Sequence, residues 1–206
     1  ETLGAEVGAR TIDVRSRQHW QYWLVWLDTQ QPVDLIIANA GIASATADKP
    51  VSDLEALPQI FDVNVTGVVN TIMPLLPAMQ ARGAGQIAIV SSLAGYRGMP
   101  YAPGYSASKV AVASLGEALR GRLRPSGVGV SVITPGFVRS RITDANNFPM
   151  PFFKESDQAA KIVLRGLSKN KDLIAFPWPM VLGTRLMALI PSWLYLWATR
   201  INPIEK

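Results

Sequence analysis

The sequence contains no cysteine and a single histidine, His19. The first absence excludes a disulfide framework, a thiolate metal site and a cysteine nucleophile. The second leaves no histidine cluster for zinc and one candidate for a Ser/His pair, so no metal is expected. Charged residues are scarce at 17%, which excludes a disordered, self-repelling chain. The net charge of +5 suits an anionic ligand, but no dense basic stripe accompanies it and nucleic acid is not an expected partner. Arg120, Arg122 and Arg124 read instead as the solvated last turn of a helix. The chain opens on Glu1, with no basic segment leading into an apolar one, so it reads as having no signal peptide and no natural start. Long hydrophobic runs are missing too. Leu186 to Thr199, 14 residues, is the longest uncharged stretch near the C-terminus. It is broken by Pro191 and falls short of the about 20 residues that span a bilayer, so it reads as a buried or interfacial helix.

What is present is an alternation of short apolar runs with longer helical patterns over 206 residues, enough for one domain, 1–206, whose end, 177–206, forms an apolar tail. Strands are predicted at Arg10–Val14, Val33–Asn39, Gln86–Ser91, Gly129–Thr134 and Leu173–Phe176. Helices are predicted at Ser16–Thr29, Val51–Arg82, Tyr105–Arg124 and Ser156–Lys169. Ser52 and Glu55 form a capping-box pattern, Pro58, Pro74 and Pro77 break the second helix, and Gly127 ends the third. Trp20, Trp23, Leu24 and Leu27 form a stripe that packs on a sheet. The expectation is an α/β fold with a doubly wound, Rossmann-like parallel sheet and right-handed crossovers.

In such a sheet ligands bind beyond the carboxyl ends of the strands. The residues there are Asp13, Asn39-Ala40-Gly41, Ser91-Ser92 and Thr134-Pro135-Gly136. Each taken alone is ordinary turn chemistry. Tyr105 and Lys109, four apart on a helix, share one face. A phenol titrates near 10, too high for proton transfer at neutral pH, and an adjacent ammonium brings it down. The spacing by itself occurs by chance in about one chain in six of this composition. Ser92, 13 positions before Tyr105 and at a strand end, and Asn64, polar among apolar neighbours, sharpen the pattern.

Together these residues resemble the classical short-chain dehydrogenases/reductases. The resemblance rests on Ala38-Asn39-Ala40-Gly41, Asn64-Val65-Thr66-Gly67, Ser92, the run Tyr105-Ser106-Ala107-Ser108-Lys109, Pro135-Gly136 with Ser140 four positions on, and Asp13-Val14. It covers about residues 5 to 176 in matching order. The family's glycine-rich phosphate turn has no counterpart, so the chain reads as N-terminally truncated, with Glu1–Val7 the end of a helix.

The resemblance implies an oxidoreductase using NAD or NADP, the choice left open, to move hydride between nicotinamide and the carbon of a small-molecule carbonyl or secondary alcohol. By the same resemblance Tyr105 is the general acid/base, Ser92 hydrogen-bonds the reacting oxygen, Lys109 lowers the Tyr105 pKa and holds the ribose, and Asn64 keeps a relay water. Cofactor contacts are expected from Asp13, Val14, Asn39, Ala40, Gly41, Tyr105, Lys109, Ile133, Pro135, Gly136, Val138 and Ser140. The substrate end falls on 139–153 and 177 onward. There Phe148, Phe152, Phe153, Trp178, Trp193, Tyr195 and Trp197 suit an apolar substrate, a subunit interface or a closed core. Arg97 and Arg141 are solvated or meet an anionic group. A homodimer or homotetramer through the Asn64 and Tyr105 helices is expected. The expected location is the cytoplasm, with peripheral membrane contact open through the tail. A catalytically inactive or cofactor-deficient relative, acting as a binding or membrane-peripheral protein, is the alternative.

Overall fold

A computed structural model describes residues 6–44, 52–145 and 148–200, and of the last three of these the backbone alone. Its centre is a parallel four-stranded sheet in the order β1 (Leu35–Ala38), β2 (Gly85–Val90), β3 (Val128–Pro135) and β4 (Leu173–Phe176). Ile87, Ala88 and Ile89 of β2 are all fully buried, as expected of a strand covered on both faces. One face meets α1 (Arg17–Gln30), α3 (Gly67–Ile72), α4 (Leu76–Arg82) and α5 (Pro103–Leu123). Ile36, Ile87, Ile89 and Val130 pack there on Leu24, Ile72, Met79 and Val112, with Trp20 and Trp23 beside them. The other face carries Ala88, Ile133, Ile174 and Phe176 against Ala159 and Leu167 of α7 (Ser156–Leu167). The sheet is doubly wound, as the alternation of runs implies.

Three expectations change. Arg10–Val14 is not a strand: Asp13 enters a turn in which its carbonyl accepts the Ser16 N–H at 2.9 Å. An apolar run becomes a strand only where a neighbour pairs with it, and β1 pairs with β2 alone among the described residues. The crossovers are not uniformly right-handed. All three step the same way across the sheet, yet α7 lies on the face opposite α5, so the third has the opposite hand to the first two. The preference for one hand belongs to tight strand-helix-strand units. Here an irregular excursion, including α6 (Arg141–Asp144) and a bridge between Val138 and Lys154, precedes α7 and lets it reach the other face. Arg120 is not merely solvated either, since it donates to the carbonyls of Val130 and Asn170.

The second predicted helix is a relay. A turn held by Ser52 and Glu55 leads into α2 (Leu57–Phe61), a π-helical turn at Asp62–Thr66, then α3, a 3-10 turn at Met73–Leu75 and α4. Pro58, Pro74 and Pro77 sit at the start of a segment each, where a missing N–H costs nothing. Leu57–Arg82 is long and apolar enough to cross a membrane, but half of its most apolar window is buried in the fold. The predicted start at residue 51, and most of the expected helix end at 1–7, lie outside the described residues.

Candidate active site

The carboxyl end of β2 and the first turn of α5 build the site. Ser92, two residues beyond β2, is in extended backbone, and its Oγ accepts the Ala94 N–H at 3.2 Å, starting the 3-10 turn Leu93–Gly95. Gly95 lets that turn lie flat on α5: a Cβ there would stand 3.1 Å from the Lys109 carbonyl carbon. The Ser91 hydroxyl donates to the Lys109 carbonyl at 2.7 Å, a second tie between strand end and helix. Tyr105, in the first turn of α5, is thereby brought near Ser92, whose hydroxyl is close enough to act on the titration of the phenol.

Lys109 is 4% exposed. Its Nζ donates to the Val90 carbonyl at 3.1 Å and lies 5.6 Å from the centre of the Tyr105 ring. Burial disfavours the ammonium and draws its pKa from 10.5 down to about 8. Burial also raises the Tyr105 phenol above its ordinary value, and the nearby Ser92 hydroxyl opposes that rise. The amine thus stands over the ring.

Asn64 lies in the π-helical turn and is fully buried. Such turns insert an extra residue into a helix and recur at functional sites. Its Oδ1 accepts the Ile42 N–H at 2.8 Å, while Nδ2 donates to the Ile42 carbonyl at 2.9 Å and to Ser108 Oγ at 3.0 Å. The amide therefore clamps the segment after β1 onto α5. Gly41 occupies the resulting notch, where a Cβ would fall 3.2 Å from Lys109 Nζ and 3.4 Å from Asn64 Oδ1.

The structure thus gathers Asn64, Ser92, Tyr105, Lys109 and Gly41 into one neighbourhood, with Asn39 and Ala40 exposed at the end of β1. Pro135 and Gly136 end β3, under Met180. Other predicted residues are engaged elsewhere. Asp13 binds Arg15 through both carboxylate oxygens and lines an open groove of about 500 Å³ with Arg10, His19, Trp23 and Trp26, to which neither Ser92, Tyr105 nor Lys109 contributes. Val14 packs on Gly67, where a Cβ would stand 2.7 Å from its Cγ2. Ile133 and Val138 pack in the α7 core, and Ser140 caps α6 in a reciprocal pair with Thr143. Arg97 is neither solvated nor open to an anion, because it holds three carbonyls of the tail.

Sequence reasoning missed Asp53, which is 8% exposed and whose Oδ2 accepts the Gly104 N–H at 2.5 Å, one residue before Tyr105. Thr134, which the sequence already places at a strand's carboxyl end, has a buried Oγ1 with no hydrogen-bond partner among the described residues. Ser108 stood inside the quoted Tyr-to-Lys run, and its small polar side chain on a buried helix face was the available signal.

Comparison with known proteins agrees with this geometry. A family model described as short chain dehydrogenase matches residues 1–149. An uncharacterized oxidoreductase of Myxococcus xanthus (strain DK1622) is 40% identical over 168 residues, covering 82% of this chain and 66% of that protein. Human 17-beta-hydroxysteroid dehydrogenase type 1 is 30% identical over 192 residues, covering 86% of this chain and 56% of that one. The chain therefore spans less than two thirds of either relative. A short-chain dehydrogenase from Sphingobium yanoikuyae, solved in complex with NADPH, superposes with a TM-score of 0.73 at 23% identity, over 92% of this chain and 78% of its own, and shares the fold. With the family model matched across its larger part and the sheet, the strand-end serine and the tyrosine-bearing helix assembled as described, the chain belongs to the short chain dehydrogenase family.

Proposed function

We propose that the chain carries the catalytic centre of an NAD(P)-dependent oxidoreductase that interconverts an apolar carbonyl compound and its secondary alcohol. The observation that carries this reading is the buried Lys109, whose Nζ lies 5.6 Å from the centre of the Tyr105 ring on the same helix, next to the strand end that bears Ser92. The fit of a dinucleotide is supported at one end. The buried Lys109 ammonium and Asn64 Oδ1 flank a notch that the lack of a side chain at Gly41 leaves open, a surface suited to ribose hydroxyls. Asn39 and Ala40 border the same strand end. Asp13 fits less well, its carboxylate being held by Arg15.

When bound, the nicotinamide supplies or accepts the hydride. In reduction Tyr105 gives its proton to the developing alkoxide while Ser92 donates a hydrogen bond to the same oxygen. Burial keeps the phenol protonated, the form a general acid needs in this direction. Lys109 orients the ribose and restores the proton. Asn64, whose Oδ1 borders the Gly41 notch beside Nζ, keeps the relay water between Lys109 and solvent. The apolar reading of the substrate is supported by Met180 over Gly136 and by Phe148 edge-on to Phe137 at 5.9 Å. A homodimer or homotetramer through the Asn64 and Tyr105 helices is supported by the exposure of Met73, in the 3-10 turn after α3, and of Val110 in α5. The tail supports a peripheral membrane contact.

The test is cofactor oxidation by the full-length protein against a panel of carbonyl compounds, with NADH and NADPH binding titrated by fluorescence. Tyr105→Phe is expected to lose about 10²–10⁴-fold in kcat with cofactor binding retained. Unchanged turnover in that variant removes the assignment, and absence of binding to either nucleotide favours the cofactor-deficient alternative.

A further inference from the structure

The tail folds as a hairpin of two short helices, α8 (Trp178–Leu189) and α9 (Ser192–Arg200), joined at Pro191, and α8 is pinned near both of its ends. Near its start Met180 rests on the turn after β3: a Cβ on Gly136 would stand 2.9 Å from Met180 Sδ. At its finish Arg97, in the loop after Ser92, donates from Nη1 to the carbonyls of Met187 at 3.0 Å, Ala188 at 3.1 Å and Ile190 at 2.6 Å. The same guanidinium stacks 4.3 Å from the Tyr195 ring of α9, and the Tyr195 hydroxyl donates to the Gly98 carbonyl at 2.8 Å. Arg185 of α8 lies 5.9 Å over the Tyr96 ring, a further tie to that loop. Between the pins α8 packs on β4 and on the turn Leu93–Gly95. Two helical turns, about 10 Å, separate Met180 from Met187, against about 4.8 Å between neighbouring strands. The helix therefore lies across the carboxyl ends of β3 and β2, the edge at which such a sheet binds its ligands.

The side of α8 turned to that edge offers shape and no hydrogen bond. Met180, Thr184 and Met187, at spacings of four and three, share one side of the helix and are half-buried, whereas Leu182, Leu186 and Leu189 are exposed. The Thr184 hydroxyl is engaged within the helix, donating to the Met180 carbonyl at 2.9 Å and the Val181 carbonyl at 3.2 Å. What remains is two thioethers on unbranched chains, which adapt to irregular apolar outlines. A compound that pressed a hydroxyl or a charge against this side would lose its hydration and gain no bond in return.

We infer that α8 is a fixed roof over the reacting carbon, in which Met180 sets the size of the carbonyl compound admitted and Arg97 is the positioning residue that holds the roof down. This rests on the oxidoreductase reading above and deepens it: the substrate is a ketone whose body, on the side that meets the roof, carries neither hydroxyl nor charge. Ser92 and Tyr105 recognise the oxygen, and Met180 and Met187 recognise the outline. The two tasks are separable, because the strand end and the first turn of α5 are held by Ser91, Gly95 and Asp53 and not by the tail. Removing the Arg97 guanidinium frees the roof and weakens the hold on a bulky ketone, while the chemical step on a small one persists.

The test has two arms, both on the full-length protein with urea unfolding as the folding control. The first needs no turnover. The chain has no cysteine, so Met180→Cys and Leu189→Cys each place one thiol in it, the second at a position 80% exposed. Each is alkylated with N-ethylmaleimide, followed by mass spectrometry of the peptide concerned, with Arg97 intact or replaced by Ala or Lys. The thiol at position 180 is expected to react about tenfold or more slowly than that at 189, with Arg97→Ala removing most of the difference and Arg97→Lys keeping much of it. The second arm measures reduction of cyclohexanone and 2-decalone. Met180→Ala is expected to raise kcat/KM for 2-decalone relative to cyclohexanone about tenfold, and Met180→Trp to lower it as far. Arg97→Ala should raise KM for 2-decalone about tenfold with kcat for cyclohexanone unchanged, and Arg97→Lys should recover part of the loss. A thiol at 180 as reactive as that at 189, or a rate that Arg97→Ala leaves unchanged, overturns the fastened roof. A ratio between the two ketones that neither Met180 variant moves overturns Met180 as the selector. If the unaltered protein reduces neither ketone, the apolar-ketone reading falls and the selector with it, while the thiol rates still decide whether Arg97 fastens the helix.

Discussion

Asp53 and Gly104 lie 51 residues apart in the chain and meet through one hydrogen bond, the Gly104 N–H donating to Asp53 Oδ2 at 2.5 Å. The bond lands on the first turn of α5, where backbone N–H groups are unsatisfied and the helix dipole welcomes negative charge. It fixes the backbone next to Tyr105 from outside the sheet. Asp53→Ala should lower stability by about 1–2 kcal/mol, and Asp53→Asn, which keeps an acceptor, by less. Urea unfolding measures the difference. If Asp53 positions the phenol, kcat falls further than KM changes and asparagine partly restores it, whereas a purely structural role leaves kcat per folded molecule unchanged.

Lys109 makes stability depend on pH in a defined window. Its folded pKa is about 8 against an ordinary 10.5, so from about pH 8 to 10.5 the unfolded chain holds more protons than the folded one. Stability must therefore rise with pH across that interval, with each unit of displacement worth about 1.4 kcal/mol. Tyr105 acts oppositely: its pKa is raised by burial, the unfolded phenol ionises first, and stability falls above pH 10. Lys109→Met should flatten the rise and Tyr105→Phe the fall, as read by denaturation midpoints along a pH series. A wild-type curve flat between pH 8 and 10 would contradict the burial of a chargeable amine.

Asn64→Ala deletes three hydrogen bonds, one buried and two part-buried, and strands both backbone groups of Ile42. Each stranded group costs about 1–3 kcal/mol. Amide exchange at Ile42 is expected to accelerate along with that loss. Protection of Ile42 unchanged in the variant would show that the clamp lies elsewhere.

Arg97→Ala removes the cation that caps the last carbonyls of α8 and stacks on Tyr195. Charge-assisted bonds of this kind are worth about 1.5–3 kcal/mol. Limited proteolysis near Pro191 should speed up by about tenfold or more while the sheet keeps its unfolding midpoint. Cleavage at the wild-type rate would mean that apolar contacts alone hold the hairpin.

Sequence reasoning reached the parts of the molecule governed by local spacing. The four-residue interval of Tyr105 and Lys109 puts both on one helix face in any packing, and Leu173–Phe176 is a strand with the predicted bounds. It failed where a distant partner decides. Arg10–Val14 has the composition of a strand but no pairing neighbour among the described residues. Nothing local to Asp53 announces a backbone N–H from another helix, and Arg97 reads as surface charge until the tail folds back over it. The hand of the third crossover depends on which face α7 finds after an excursion that periodicity does not track.

The π-helical turn at Asp62–Thr66 carries one further implication. A regular helix advances about 100° per residue. Excising a single residue from that turn would restore regular phase and swing Asn64 about a quarter-circle away from Ile42 and Ser108, although every side chain of the cluster was retained. A one-codon deletion there is thus equivalent to losing the asparagine, and related chains can gain or lose this corner of the site by length alone.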